Sequence, residues 1–138
     1  MKILFADTSG WMACADKNDP VHHKALAARN YWLQSGGTLL VTDYVVDETL
    51  TLLRMRLGLP AAKTWWDSVS ASPRVRIQYL SGDILESARA CFFKFRDKTY
   101  SFTDCTSFAA MKAGNLKKAF ATDHHFTQAG FQCIPELQ

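Results

Sequence analysis

The chain has 138 residues, 48% of them hydrophobic and 21% charged, with a formal net charge of +3. That fits one domain over 1–138 with an ordinary core, excludes disorder, and is compatible with a polyanionic partner. No apolar run approaches the ~20 residues that span a bilayer, and MKILFADTSG turns acidic too soon for a signal peptide, so a cytoplasmic protein with no membrane partner is expected.

Lys2 to Ala6 is a short apolar run and predicts a strand. Ser9 can N-cap a short helix over Gly10–Ala15. Pro20 opens the helix of HHKALAARNYWLQ, where Ala25, Ala28, Tyr31 and Trp32 recur at helical spacing, and Gly36-Gly37 stops it. Thr38–Val41 predicts a second strand, and Asp43–Leu57 a helix that ends at Gly58. Pro60 starts the next helix, through Ser70, and Arg74–Leu80 alternates as a strand near a sheet edge. Ser81-Gly82-Asp83 opens a long helix to Arg96, and Ser101 or Thr103 opens another, with Gly114 as its C′ glycine. Lys118–Thr122 predicts a strand, His124–Ala129 a turn or short helix closed by Gly130, and Phe131–Ile134 a last strand.

Strands separated by helices predict right-handed crossovers. The fold class is therefore α/β, a three-layer α/β/α arrangement with a mostly parallel central sheet. In such sheets ligands bind beyond the carboxyl ends of the strands. Asp7 and Asp123 each follow a strand, and Glu48 lies in the first turns of the helix after the second strand. These three acids should converge on one edge, and Asp104 joins them if its helix N-terminus faces the same way.

Each acid also has a structural reading. Asp7 can make an Asx turn, and Asp123 can cap the helix that starts at His124. Ser101-Phe102-Thr103-Asp104 has the form of a capping box. Glu48 shares a helix face with Val45, Leu52 and Met55, whereas Asp47 shares one with Asp43, Thr51 and Arg54, so Glu48 is the acid nearer the apolar stripe. Four separate caps have no reason to meet at one edge. A cluster of carboxylates without a nearby Lys suits a hard divalent cation such as Mg²⁺ or Mn²⁺.

Other features point less far. Cys14, Cys91, Cys105 and Cys133 form no CxxC pair, and several of them lie in apolar runs and read as small buried hydrophobes in a reducing compartment. His22-His23 reads as a solvated helix start, while His124-His125 flanks Asp123 and can meet phosphate. In CFFKFRDKTY, Phe92, Phe93 and Phe95 interleave with Lys94, Arg96 and Lys98, a pattern shared by nucleic-acid surfaces and ordinary amphipathic helices. Trp65-Trp66 cannot both face the core from one helix, which leaves one for a partner. No P-loop or GxGxxG occurs, so no nucleotide cofactor is expected.

The motifs DTS at Asp7–Ser9, DETLTLL with Glu48, SFTDCTSFAAMK with Asp104 and FATDHHFTQAGF with Asp123 together resemble the PIN domain, and within it the VapC-type toxins. The resemblance runs over nearly the whole chain. It implies an endoribonuclease using Mg²⁺ or Mn²⁺ held by Asp7, Glu48, Asp104 and Asp123, with Ser9 and Thr122 supporting the site. It also implies an RNA substrate, a cognate antitoxin over the acidic site and a homodimer. Arg96 and His124 are the expected RNA contacts. Rival readings are a PIN nuclease of RNA processing, a metal-independent histidine ribonuclease, a phosphatase with Asp7 as nucleophile, and a non-catalytic RNA- or protein-binding domain. A metal-bound water attacking in line would leave a 5′-phosphate and a 3′-hydroxyl, whereas the histidine route gives 2′,3′-cyclic ends.

Overall fold

The computed structural model describes residues 2–136. Its five strands are β1 (Ile3–Ala6), β2 (Thr38–Thr42), β3 (Val75–Gln78), β4 (Lys118–Phe120) and β5 (Gln132–Ile134). They form one sheet in the order β3-β2-β1-β4-β5, and every pairing is parallel. The helices are α1 (Thr8–Ala15), α2 (His22–Gln34), α3 (Asp43–Leu57), α4 (Leu59–Ala71), α5 (Gly82–Lys94), α6 (Phe102–Ala113) and α7 (His125–Gln128). The expected α/β fold with a parallel sheet is what forms.

The strand order determines the layers. From β1 to β3 the sheet grows in one direction, and from β4 to β5 it grows in the other. Right-handed crossovers then put α1–α4 on one face and α5–α7 on the opposite face. Core packing follows that division. Trp11 of α1 meets Trp65 of α4 and Phe120 of β4 edge-on, at 5.6 and 6.4 Å between ring centroids. On the other face Phe126 meets Phe5 at 6.2 Å and Phe108 at 5.0 Å. Each such aromatic, fully buried, contributes on the order of 1.5–3 kcal/mol. Strand β3 sits at the expected edge, with Arg76 exposed and its other residues partly buried.

Several local expectations are corrected. The first helix begins at Thr8, and its N-cap is Asp7 rather than Ser9. The second begins at His22, with Val21 as its N-cap, so Pro20 precedes the helix. His22 is buried, its Nδ1 2.7 Å from the Ala13 carbonyl, whereas Tyr31 is exposed beside Lys2. Trp65 is buried and Trp66 packs only partly against the core, so the two do face differently. Helix α5 stops at Lys94, short of Arg96. Gly114 ends α6 without a left-handed conformation. Asn115 adopts it instead, at φ 55°, with the Asn115 and Leu116 N–H groups closing onto the carbonyls of Lys112 and Met111. That is a Schellman closure with Asn at C′. Strand β4 ends at Phe120, so Asp123 lies a short turn beyond it.

Candidate functional site

Strand β1 lies between β2 and β4, and the chain winds away from it in opposite senses on the two sides. The carboxyl ends of β1 and β4 therefore flank the crevice where doubly wound sheets bind ligands. Helix α1 is seated tightly there. A Cβ on Gly10 would stand 2.6 Å from the Phe120 carbonyl oxygen, so this position excludes any side chain. The Asp7 N–H donates to the same carbonyl at 3.0 Å, which ties the end of β1 to the end of β4.

Asp7 is 2% exposed. Its Oδ2 accepts the Ser9 hydroxyl at 2.7 Å and the Ser9 N–H at 3.1 Å. Its Oδ1 is buried with no hydrogen-bond partner. Burial foremost, and then the nearby Asp123 carboxylate, push Asp7 up to about 7, against the pull of the Ser9 hydroxyl. Ser9 in turn is fixed from the other strand. Its Oγ accepts the Thr122 N–H at 3.0 Å, and the Thr122 hydroxyl donates to the Ser9 carbonyl at 3.2 Å.

Glu48 comes from the face of α3 turned toward α1. The Thr49 hydroxyl donates to the Thr8 hydroxyl at 3.2 Å, and Thr8 and Glu48 line the same cavity. Burial raises the Glu48 pKa, the Thr8 side chain opposes that, and Asp104 and Asp123 add to the rise. Asp47 is exposed, as its polar stripe predicts, but Met55 is exposed as well. The apolar stripe thus runs out one turn before the end of α3.

Asp104 does two jobs at once. It completes the capping box: the Ser101 Oγ accepts its N–H at 2.9 Å, and its Oδ2 accepts the Ser101 N–H at 3.0 Å. The same Oδ2 lies 2.9 Å from the His125 Nδ1. Burial raises the Asp104 pKa, the Ser101 N–H lowers it, and Asp123 raises it again. The Thr99 hydroxyl sits 3.2 Å from the His125 Nε2, and the Tyr100 ring packs edge-on against the imidazole at 5.7 Å.

Asp123 is not a helix N-cap. Its Oδ1 accepts the His125 N–H at 3.1 Å in an Asx turn, while His124 occupies the cap position. Asp104, Asp123 and His125 bring one ligand atom each within 4.8 Å of one another, the described group that could hold a metal ion. Asp7, Glu48, Asp104 and Asp123 all line one cavity of about 300 Å³. A larger cavity of about 610 Å³ between α1, α2 and α4 is lined by no acid.

The buried Oδ1 of Asp7 fits a cation. A buried carboxylate oxygen that no donor satisfies is costly, and a hard divalent ion would relieve the cost. The two residues expected to meet RNA are not among those lining the acidic cavity. His125, not His124, faces the cavity, and Arg56, not Arg96, is the arginine lining it. In a pair of adjacent residues, which one turns inward depends on the Asx turn at Asp123, and no periodicity shows that.

A family profile of the PIN domain matches residues 4–132. The chain is 33% identical over 129 residues to the 23S rRNA-specific endonuclease VapC20 of Mycobacterium tuberculosis, in two strains, covering 94% of this chain and 95% of that protein. The crystal structure of VapC20, a sarcin–ricin-loop-cleaving toxin, superposes with a TM-score of 0.83 at 33% identity, over 94% of this chain and 96% of that one. The crystal structure of FitAcB from Neisseria gonorrhoeae shares the fold, with a TM-score of 0.66 at 16% identity over 95% of each chain.

Proposed function

Because the chain belongs to the PIN-domain family, we propose that it is a divalent-metal-dependent endoribonuclease and the toxin of a toxin–antitoxin pair. One observation carries the metal-centred reading: Asp7 keeps one buried oxygen unpartnered while Ser9 holds the other. The residues that would hold Mg²⁺ or Mn²⁺ are Asp7, Asp104, Asp123 and Glu48. When bound, such an ion lowers the pKa of a coordinated water and offsets charge on the phosphodiester.

The chain's own groups orient these ligands. Ser9, itself fixed by the Thr122 N–H, aims Asp7. Ser101 and His125 hold Oδ2 of Asp104, and no other described residue hydrogen-bonds its Oδ1. Outer partners of this kind are as much a part of a metal site as its ligands. The RNA 2′-hydroxyl has no task in this scheme, so the products carry a 5′-phosphate and a 3′-hydroxyl.

A histidine ribonuclease would use His124 or His125 as acid and base. Here His124 is exposed and lies off the cavity, and His125 is held between Asp104 and Thr99. A structured ribosomal RNA loop, the target of the relative VapC20, is the first substrate to test. Toxin status carries two further expectations, an antitoxin that covers the acidic cavity and a homodimer. No described helix is long and apolar enough to cross a membrane.

The test is cleavage of 23S rRNA and of a sarcin–ricin-loop oligonucleotide in Mn²⁺, with and without EDTA, followed by end-group analysis. Cleavage that survives EDTA, or cyclic phosphate ends, would overturn the reading. Cleavage confined to precursor RNAs would favour an RNA-processing role over a toxin.

A further inference from the structure

We propose that Arg56 binds a backbone phosphate beside the scissile one and so sets how the RNA strand lies across the acidic cavity. The inference rests on the nuclease reading above and names a positioning residue for it. Asp7, Asp19, Glu48, Asp104 and Asp123 line the cavity, and Arg56 is the only Lys or Arg among its lining residues. A divalent ion at the carboxylates offsets only part of their charge, and the phosphates flanking the scissile one still meet a negative wall unless a further cation faces them.

Arg56 is free for the task. Among the described residues it forms no ion pair and no side-chain hydrogen bond, although five acids line the same cavity. It is exposed and lies in the last turn of α3. The helix dipole favours a cation there, which accounts equally for Arg54. Arg54 does not line the cavity, so the dipole does not choose between the two positions.

Placement selects the phosphate. Arg56 follows Glu48 by eight residues, or about 12 Å along the axis at the α-helical rise. Both residues line the same cavity, with Arg56 about two turns further along α3. That separation suits a neighbouring phosphate rather than the one at the carboxylates. Leu52 lies between them and gives the cavity an apolar wall for a sugar or base. A guanidinium meets two phosphate oxygens at once, which fixes strand direction as well as adding affinity.

The test uses the full chain, Arg56→Gln and Arg56→Lys, with a fluorescent sarcin–ricin-loop RNA at several salt concentrations. In Mn²⁺, Arg56→Gln should raise KM about tenfold with kcat held, and Arg56→Lys should recover part of the loss. Binding measured by anisotropy in Ca²⁺, which takes similar oxygen ligands, should show a salt slope lower by about one for Arg56→Gln. Equal salt slopes, or a fall in kcat at unchanged KM, would overturn the assignment. Binding that depends on Arg56 without any cleavage would support Arg56 and sink the nuclease reading alone. No binding by the wild-type chain would overturn both.

Discussion

The Ser9 hydroxyl stands 2.7 Å from Oδ2 of Asp7, and the other oxygen of that carboxylate is buried with no partner. The cost of this asymmetry falls on the protein without metal. Asp7→Asn removes the charge and keeps an oxygen for Ser9. Its apo form should be more stable by about 1–2 kcal/mol, only part of the burial cost, because the new amide N–H groups also need partners. That raises Tm by roughly 3–8 °C. Cleavage should fall by about 100-fold or more, in line with removal of a charge stabiliser at a reacting centre. Thermal melts with EDTA and with Mn²⁺ check it. An equal Mn²⁺ shift in both proteins would show that Asp7 is not a ligand.

Acidity gives an independent handle on the same residue. Burial and then Asp123 hold Asp7 at about 7 in the fold, against 3.8 for an ordinary Asp. Between those values the folded chain keeps a proton that the unfolded chain has lost. Apo stability therefore falls as pH rises from about 4 to 7, and the whole cost, on the order of 4 kcal/mol, is present above that window. Glu48 and Asp104, both raised chiefly by burial, act in the same direction. Metal acts oppositely, because its ligands must be deprotonated. The Mn²⁺-induced rise in Tm should be small at pH 5 and large at pH 8. A shift of the same size at both would remove the link between Asp7 and the ion.

Ser9→Ala tests whether the hydroxyl tunes the site or merely caps a helix. The substitution takes the acceptor from the Thr122 N–H and the hydroxyl donor from Asp7. It should cost about 1–3 kcal/mol, the range for a buried group left unsatisfied. Without that donor the Asp7 pKa rises further, so the midpoint of the Mn²⁺ effect should move to higher pH. Ser9→Thr, which restores the hydroxyl, should return the midpoint. Lost stability with an unmoved midpoint would leave Ser9 a structural residue only.

Much of this arrangement was legible in the chain before any coordinates. The end of α3 at Leu57 followed from Gly58, which sits at φ 101°, and the opening of α5 followed from Ser81, which accepts the Ile84 N–H. Strand order brought Asp7 and Asp123 to one edge because their strands are neighbours in a parallel sheet. What stayed hidden depended on tertiary contacts. The cap at Asp7 rather than Ser9 reflects the need of Ser9 to reach Thr122 across the sheet, 113 positions along the chain. That His125 and Arg56 line the cavity was hidden for a similar reason. Each gains its place from a partner or a cavity wall built by a distant segment, while its own helix offers only the dipole or an adjacent His as explanation.

Asp104 is where a capping role and a site role coincide, and two variants can pull them apart. Both hydrogen bonds of the capping box with Ser101 are present, and the same Oδ2 also meets the His125 Nδ1. Ser101→Ala removes the hydroxyl cap while leaving the Asp104 carboxylate and its bond to the Ser101 N–H. It should lower Tm by a few degrees, as the loss of about 1 kcal/mol at an N-cap does, with the Mn²⁺-induced shift preserved. Asp104→Asn retains an oxygen for the Ser101 N–H but loses the charge that would hold a cation and that faces His125. It should leave apo Tm level or higher, since the carboxylate pKa is raised chiefly by burial, and it should remove most of the Mn²⁺ shift together with cleavage. Were Asp104 only a cap, Asn would keep both the cap and the full response to metal. Melting curves for the two variants, recorded side by side with and without Mn²⁺, distinguish these outcomes, because a cap acts on folding whether metal is present or not and a ligand acts only when it is.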